Sequence, residues 1–185
     1  MIAEEARNLV ESACRSENNA YGYGAWTHHI ESVVKYSKAL ARKTGGDEEI
    51  CELGALFHDY SSVLDKELYP EHHIHSARLA GEVLYSMYYP EDRIKRVQHC
   101  ILAHRASKNI PRETLEAEIV ASSDAMAHFD NVASLLYLAY TKHEMGIDEG
   151  RDWVLGKLER SWEKLMPEAQ EMLSEKYEAI KKALL

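Results

Sequence analysis

The sequence predicts an all-α fold. Apolar residues recur at three- and four-residue spacing through most of the chain. The four prolines all fall at the edges of such segments. The alternating Val/Ile/Thr runs of half-buried strands are scarce. With 185 residues, 45% of them hydrophobic and 29% charged, the chain can bury a real core and is most simply one domain over 1–185.

The elements follow in order. Residues 2–16 form an amphipathic helix. Asn18, Asn19, Gly22 and Gly24, with Tyr21 and Tyr23, make a turn-rich stretch. A second helix spans 27–44, with Thr27 placed to cap it and Gly45-Gly46 to stop it. Asp47 caps a third, which runs to Asp59. Residues 60–70 read as a loop ending at Pro70, followed by a helix over 71–88. Pro90 opens the next helix, which ends near Ala106. A loop over 107–111 leads to helices over 112–128 and 131–144, with Asn131 at the start of the latter. Gly146 breaks the pattern, Asp148 begins a further helix and Pro167 starts the last. The last 40 residues, about 148–185, carry Trp153 and Trp162 but no evident chemistry, and read as packing helices or an oligomer surface.

A net charge of −9, from 22 basic and 31 acidic residues, excludes duplex nucleic acid as the first partner to expect, because phosphate backbones select basic surfaces. A small anionic substrate stays open, since a metal can supply local positive charge. Cys14, Cys51 and Cys100 are odd in number and far apart, which fits buried thiols of a reducing compartment. Glu4, Glu5 and Arg7 interrupt any signal peptide, and no apolar run approaches the ~18 residues of a membrane span. A cytoplasmic location is the expectation.

The chemistry lies in polar groups on apolar helix faces. His29 shares a face with Val33, Tyr36 and Leu40; His58 with Ile50, Leu53, Gly54 and Phe57. His104 extends the stripe of Ile94, Val97 and Ile101, and Asp124 that of Ala117, Val120 and Ala121. One inward histidine is usually a satisfied core residue. Four inward positions on four helices point to a shared metal, because an unpaired polar group aimed at a core is costly. Asp59 adjoins His58, and at the last turn of a helix both can reach one ion. His72, His73 and His75 form a further cluster.

This order of residues resembles the HD superfamily of metal-dependent phosphohydrolases. It is carried by HHIESVV at 28–34, ALFHDYS at 55–61, EHHIHSARLA at 71–80, ILAH at 101–104 and IVASSDAM at 119–126. The resemblance implies an HD-domain helical bundle of roughly seven to nine helices. It implies that His29, His58, Asp59 and Asp124 hold one divalent ion. His29, not His28, takes the first place because it stands four residues before Val33. His72, with His73 as its rival, and His104 match the ligands of two-metal members, with Asp59 bridging the ions; in a one-metal member His72 and His104 would bind phosphate. The metals that suit such a site are manganese, iron, nickel, cobalt, magnesium and zinc.

The implied activity is hydrolysis of a phosphate ester of a nucleotide or another small molecule. The metal acidifies a water and polarises the phosphoryl group. Asp59 orients the water, and His104 or His72, if free of metal, protonates the leaving group. The chain departs from the family at Tyr60-Ser61-Ser62, where many members carry a lysine near the phosphate. Lys66 lies further along the loop, out of that place; Arg78, Arg105 and Lys108 are the candidate replacements, although each reads more simply as a surface charge. The alternatives are a non-catalytic scaffold binding a nucleotide or protein, a di-iron oxygenase on the same fold, and a metal-free helical core. His28 and His75 read as surface groups. His99, His128 and His143 are given no site, Tyr60 reads equally as a pocket-lining or a packing residue, and Glu71 reads as a capping charge ahead of an acid or base.

Overall fold

The computed structural model describes residues 1–105 and 110–185, and among these no strand occurs. The helices are α1 (Ile2–Arg15), α2 (Glu31–Thr44), α3 (Glu48–Phe57), α4 (Tyr60–Leu64), α5 (His72–Ser86), α6 (Glu91–Ala103), α7 (Leu115–Asp130), α8 (Val132–Tyr137), α9 (Ile147–Glu163) and α10 (Pro167–Leu184). Leaving out the short α4 and α8, eight of these run ten residues or longer, an all-α bundle of the expected kind. None is long and apolar enough to cross a membrane.

The helix ends follow the sequence chemistry. The Asp47 carboxylate accepts the Ile50 amide at 3.2 Å, and Thr114 does the same for Ala117. Gly45 ends α2 at φ 81°, the left-handed conformation that costs a glycine least. Pro167 occupies the first turn of α10, where a missing N–H is harmless.

Three expectations change. Thr27 caps nothing: Trp26 and Ile30 are buried, and a wide-pitch turn over Trp26–Ile30 runs straight into α2, so the helical path begins before Thr27. Residues 60–70 are not an irregular loop. Tyr60 to Val63 are buried and form α4, and Asp65 opens a 3-10 turn over Lys66–Glu71 by accepting the Glu67 amide. The helix expected from Arg112 starts at Leu115, since Thr114 is the residue able to cap it.

Helix α3 is the hub. Ile50, Cys51, Leu53, Gly54, Ala55, Leu56 and Phe57 are all buried, and α1, α2, α6 and α7 pack around it. A Cβ on Gly54 would lie 3.0 Å from Cys100 Cβ and 3.1 Å from Val120 Cγ2, so its absence lets α6 and α7 close on α3. Beyond α7, Phe129, Trp162 and Tyr177 form an aromatic cluster that seats α9 and α10; the last two rings stack at 4.4 Å. The C-terminal end of α3 is thereby enclosed by α2, α5, α6 and α7.

Candidate metal centre

Each candidate ligand is delivered by a helix end or an inward face. His29 lies in the turn before α2. His58 and Asp59 follow α3, His72 opens α5, His104 ends α6 and Asp124 lies midway along α7. The structure brings all six together. His29 Nε2 lies 3.0 Å from His58 Nε2, 3.4 Å from Asp124 Oδ1 and 3.6 Å from Asp59 Oδ2. His58 Nε2 lies 3.3 Å from the same Asp59 oxygen. The other Asp59 oxygen faces His72 Nε2 at 3.3 Å and His104 Nε2 at 3.9 Å, and these two nitrogens are 3.1 Å apart. Asp59 therefore stands between two histidine sets and offers one oxygen to each.

The tautomers show what this arrangement suits. The Nδ1–H of His58 donates to the Ala55 carbonyl at 2.7 Å, that of His72 to Tyr69 at 2.8 Å and that of His104 to Ile101 at 2.6 Å. Carbonyls only accept, so each of these rings keeps a proton on Nδ1 and turns Nε2 to the site, where a metal or a proton can take it. Imidazole Nε2 atoms converging beside carboxylate oxygens call for positive charge among them, a proton or a metal cation. Neutral imidazole and carboxylate donors are those that borderline divalent ions take. Donor atoms of His29, His58 and Asp59, and those of Asp59, His72 and His104, lie within 4.8 Å of one another, so the residues fit a metal on both counts.

The electrostatics agree. Burial pushes the His58 imidazolium down, but the Asp59 and Asp124 carboxylates outweigh it and hold the group up at about 9. Burial works to raise the Asp59 carboxyl, yet His58, His29 and His72 keep it well below the usual carboxylate range. Asp124 is also depressed against burial, by His128, His29 and His58. His104 is pulled down to about 4 by burial and by His58, which leaves it neutral. Two ionised carboxylates in a buried site call for positive charge at its centre.

His72 and His73 separate by geometry. His72 joins His104 and Asp59, whereas His73 turns toward Glu71 at 3.8 Å. One further residue, given no role from the sequence, lies at the site. His128 groups with His29 and Asp124, its ring stacks on His29 at 5.8 Å, and its Nδ1 pairs with Ser161 Oγ on α9 at 3.0 Å. Burial and Lys157 lower it to about 3. The available signal was its place four residues after Asp124 on the same apolar face of α7.

The other candidates lie apart. Arg105 donates to the Pro70 carbonyl, Arg78 pairs with Glu82, and Lys66 is exposed beside Glu67. Lys108 is outside the described residues. Tyr60 is buried against Phe57. His28 and His143 are exposed, and His99 accepts the Glu113 amide. At the rim, Tyr69 stacks on His72 at 5.2 Å, with Tyr21 6.5 Å from it; both rings are about half exposed.

A model of the HD domain family matches residues 26–128, from the turn before α2 to His128. The chain belongs to the HD domain family. This is a family of metal-dependent hydrolases whose members bind divalent metals, and the matched span contains all six candidate ligands together with His128. Among solved structures, the chain resembles the Lin1889 protein from Listeria innocua at a TM-score of 0.75 and 22% identity. The likeness covers 99% of this chain and 91% of the Listeria chain, and it bears on the fold. No curated protein matches this HD-domain chain by sequence.

Proposed function

We propose that this HD-domain protein is a phosphohydrolase that uses two adjacent divalent ions to hydrolyse a phosphate ester of a nucleotide or another small molecule. The observation that carries this reading is Asp59: its two oxygens face two separate histidine sets. His29, His58, Asp124 and Asp59 Oδ2 would hold one ion, and His72, His104 and Asp59 Oδ1 the other. Ions in such a pair supply Lewis acidity toward the phosphoryl group and an acidified water for attack.

The chain's own residues do the rest. The carbonyls of Ala55, Tyr69 and Ile101 fix three imidazoles with Nε2 inward, so no reorganisation is needed on loading. Asp59, ionised at neutral pH, accepts a hydrogen bond from the attacking water and orients it. The Nε2 atoms of His72 and His104 act as acceptors, which favours ligation over proton donation to the leaving group. Tyr69 and Tyr21, half exposed at the rim, offer ring faces to a planar leaving group such as a nucleoside.

Elemental analysis of purified protein, then a panel of nucleotides, phosphomonoesters and phosphodiesters with manganese, iron, nickel, cobalt, magnesium or zinc added, tests the reading. Metal-dependent turnover, abolished in Asp59→Asn, is expected. Full metal loading without turnover on any ester would leave a non-catalytic scaffold, and iron-specific oxygen consumption would make the protein an oxygenase.

A further inference from the structure

One cation of the C-terminal helices shares the face of α9 that meets α7. Val154, Lys157, Leu158 and Ser161 share one face of α9, at offsets of three, four and seven residues. Val154, Leu158 and Ser161 are buried where α9 meets α7, and Ser161 holds His128. Lys157 is the charged member of that face. It is half-buried and makes no hydrogen bond or ion pair with the described residues, and of the carboxylates Asp124 acts on its charge most strongly, ahead of Asp59. Burial draws its ammonium below the ordinary lysine range, Asp124 opposes this, and Lys164 and Arg160 add to the depression.

An ammonium so placed carries a solvation cost that Asp124, beyond ion-pair distance, offsets only in part. Two divalent ions would outweigh the charges of Asp59 and Asp124, leaving Lys157 beside a positive centre. A phosphate dianion satisfies both. We propose that Lys157 binds the substrate phosphate, a role that the chain cannot give to residues 60–62, which are Tyr-Ser-Ser. This rests on the phosphohydrolase reading. The cation comes from α9, outside the span matched by the family model. The pairing of Ser161 with His128 fixes the helix that carries it.

The test is calorimetric binding of inorganic phosphate to metal-loaded protein, with metal content measured on the same samples. Lys157→Met should weaken phosphate binding by about tenfold to a hundredfold, the range of one charge-assisted hydrogen bond, at unchanged metal content and thermal stability. Lys157→Arg, which keeps the charge, should recover most of it; if Lys157→Met proves unstable, Lys157→Gln takes its place. Equal phosphate binding by wild type and the charge-removing variant overturns the assignment and leaves the phosphohydrolase reading intact. Loss of metal together with phosphate also overturns it, since Lys157 would then act on Asp124. Absence of phosphate binding to the loaded wild type sinks both.

Discussion

His72 and His104 face each other across 3.1 Å between Nε2 atoms, and each ring gives its other nitrogen to a carbonyl three residues earlier in its own chain segment. Two fixed acceptors at that distance are stable only with a cation between them or a proton shared. The proposed pair of ions therefore predicts that His104→Ala lowers the bound metal from two ions per chain to one, while the ion at His29, His58 and Asp124 stays. Elemental analysis after dialysis reads this directly. Unchanged stoichiometry would place no metal at His104.

The same logic applies to Asp124. It meets His29 at 3.4 Å and groups with His128. Asp124→Ala should remove the ion from the first position and leave a helical circular dichroism spectrum, since the residue caps no helix. A variant with full metal content counts against its assignment as a ligand.

Much of this centre was legible in the sequence because helical phase is a strong constraint. His29, His58, His104 and Asp124 each extend an apolar stripe, and a stripe must face the core. What phase could not give was the approach of separate helices. The choice of His72 over His73, adjacent on α5, is decided by where α6 delivers His104. His128 lay on the right face, but its meaning depends on Ser161, 33 residues on and on another helix. Helix α4 and the start of α7 are hidden in the sequence for local reasons: burial of Tyr60 to Val63 overrides their loop-like polarity, and Thr114 is the residue that caps α7.

His128 yields the next prediction. Its ring stacks on His29 while Ser161 holds its Nδ1, so it fixes the orientation of His29 whether or not it touches metal. His128→Ala should weaken metal affinity about 10- to 100-fold, as removal of such supporting partners does. Competition titration with a chromophoric chelator measures it, and wild-type affinity would show that His29 is held without this contact.

Gly54 sets the closeness of α3 to α6 and α7. A valine there must displace Cys100 or Val120, both on well-packed helices. Gly54→Val should destabilise the fold by about 1–3 kcal/mol through overpacking, seen as a lower denaturant midpoint. A midpoint at or above the wild-type value would mean that the three helices yield readily.

Asp47 links acid stability to one helix end. Its carboxylate caps α3 at Ile50 and pairs with Arg93 at 3.0 Å and Arg96 at 3.2 Å. Burial raises its pKa, but Arg93, the Ile50 amide and Arg96 together bring it below the usual carboxylate value. A group with a depressed folded-state pKa contributes its full stabilisation above the unfolded-state value of about 4, and loses it as pH falls through the folded-state value. Asp47→Asn keeps a capping oxygen but removes the charge, so it should cost stability at pH 7 and progressively less below pH ~4, where the wild type also becomes protonated. Asp47→Ala should cost about 1 kcal/mol more at pH 7 through loss of the cap. Urea unfolding of the three proteins across this pH range provides the comparison. Curves for wild type and Asp47→Asn separated by a constant amount at every pH would show that the charge at Asp47 does not stabilise the fold.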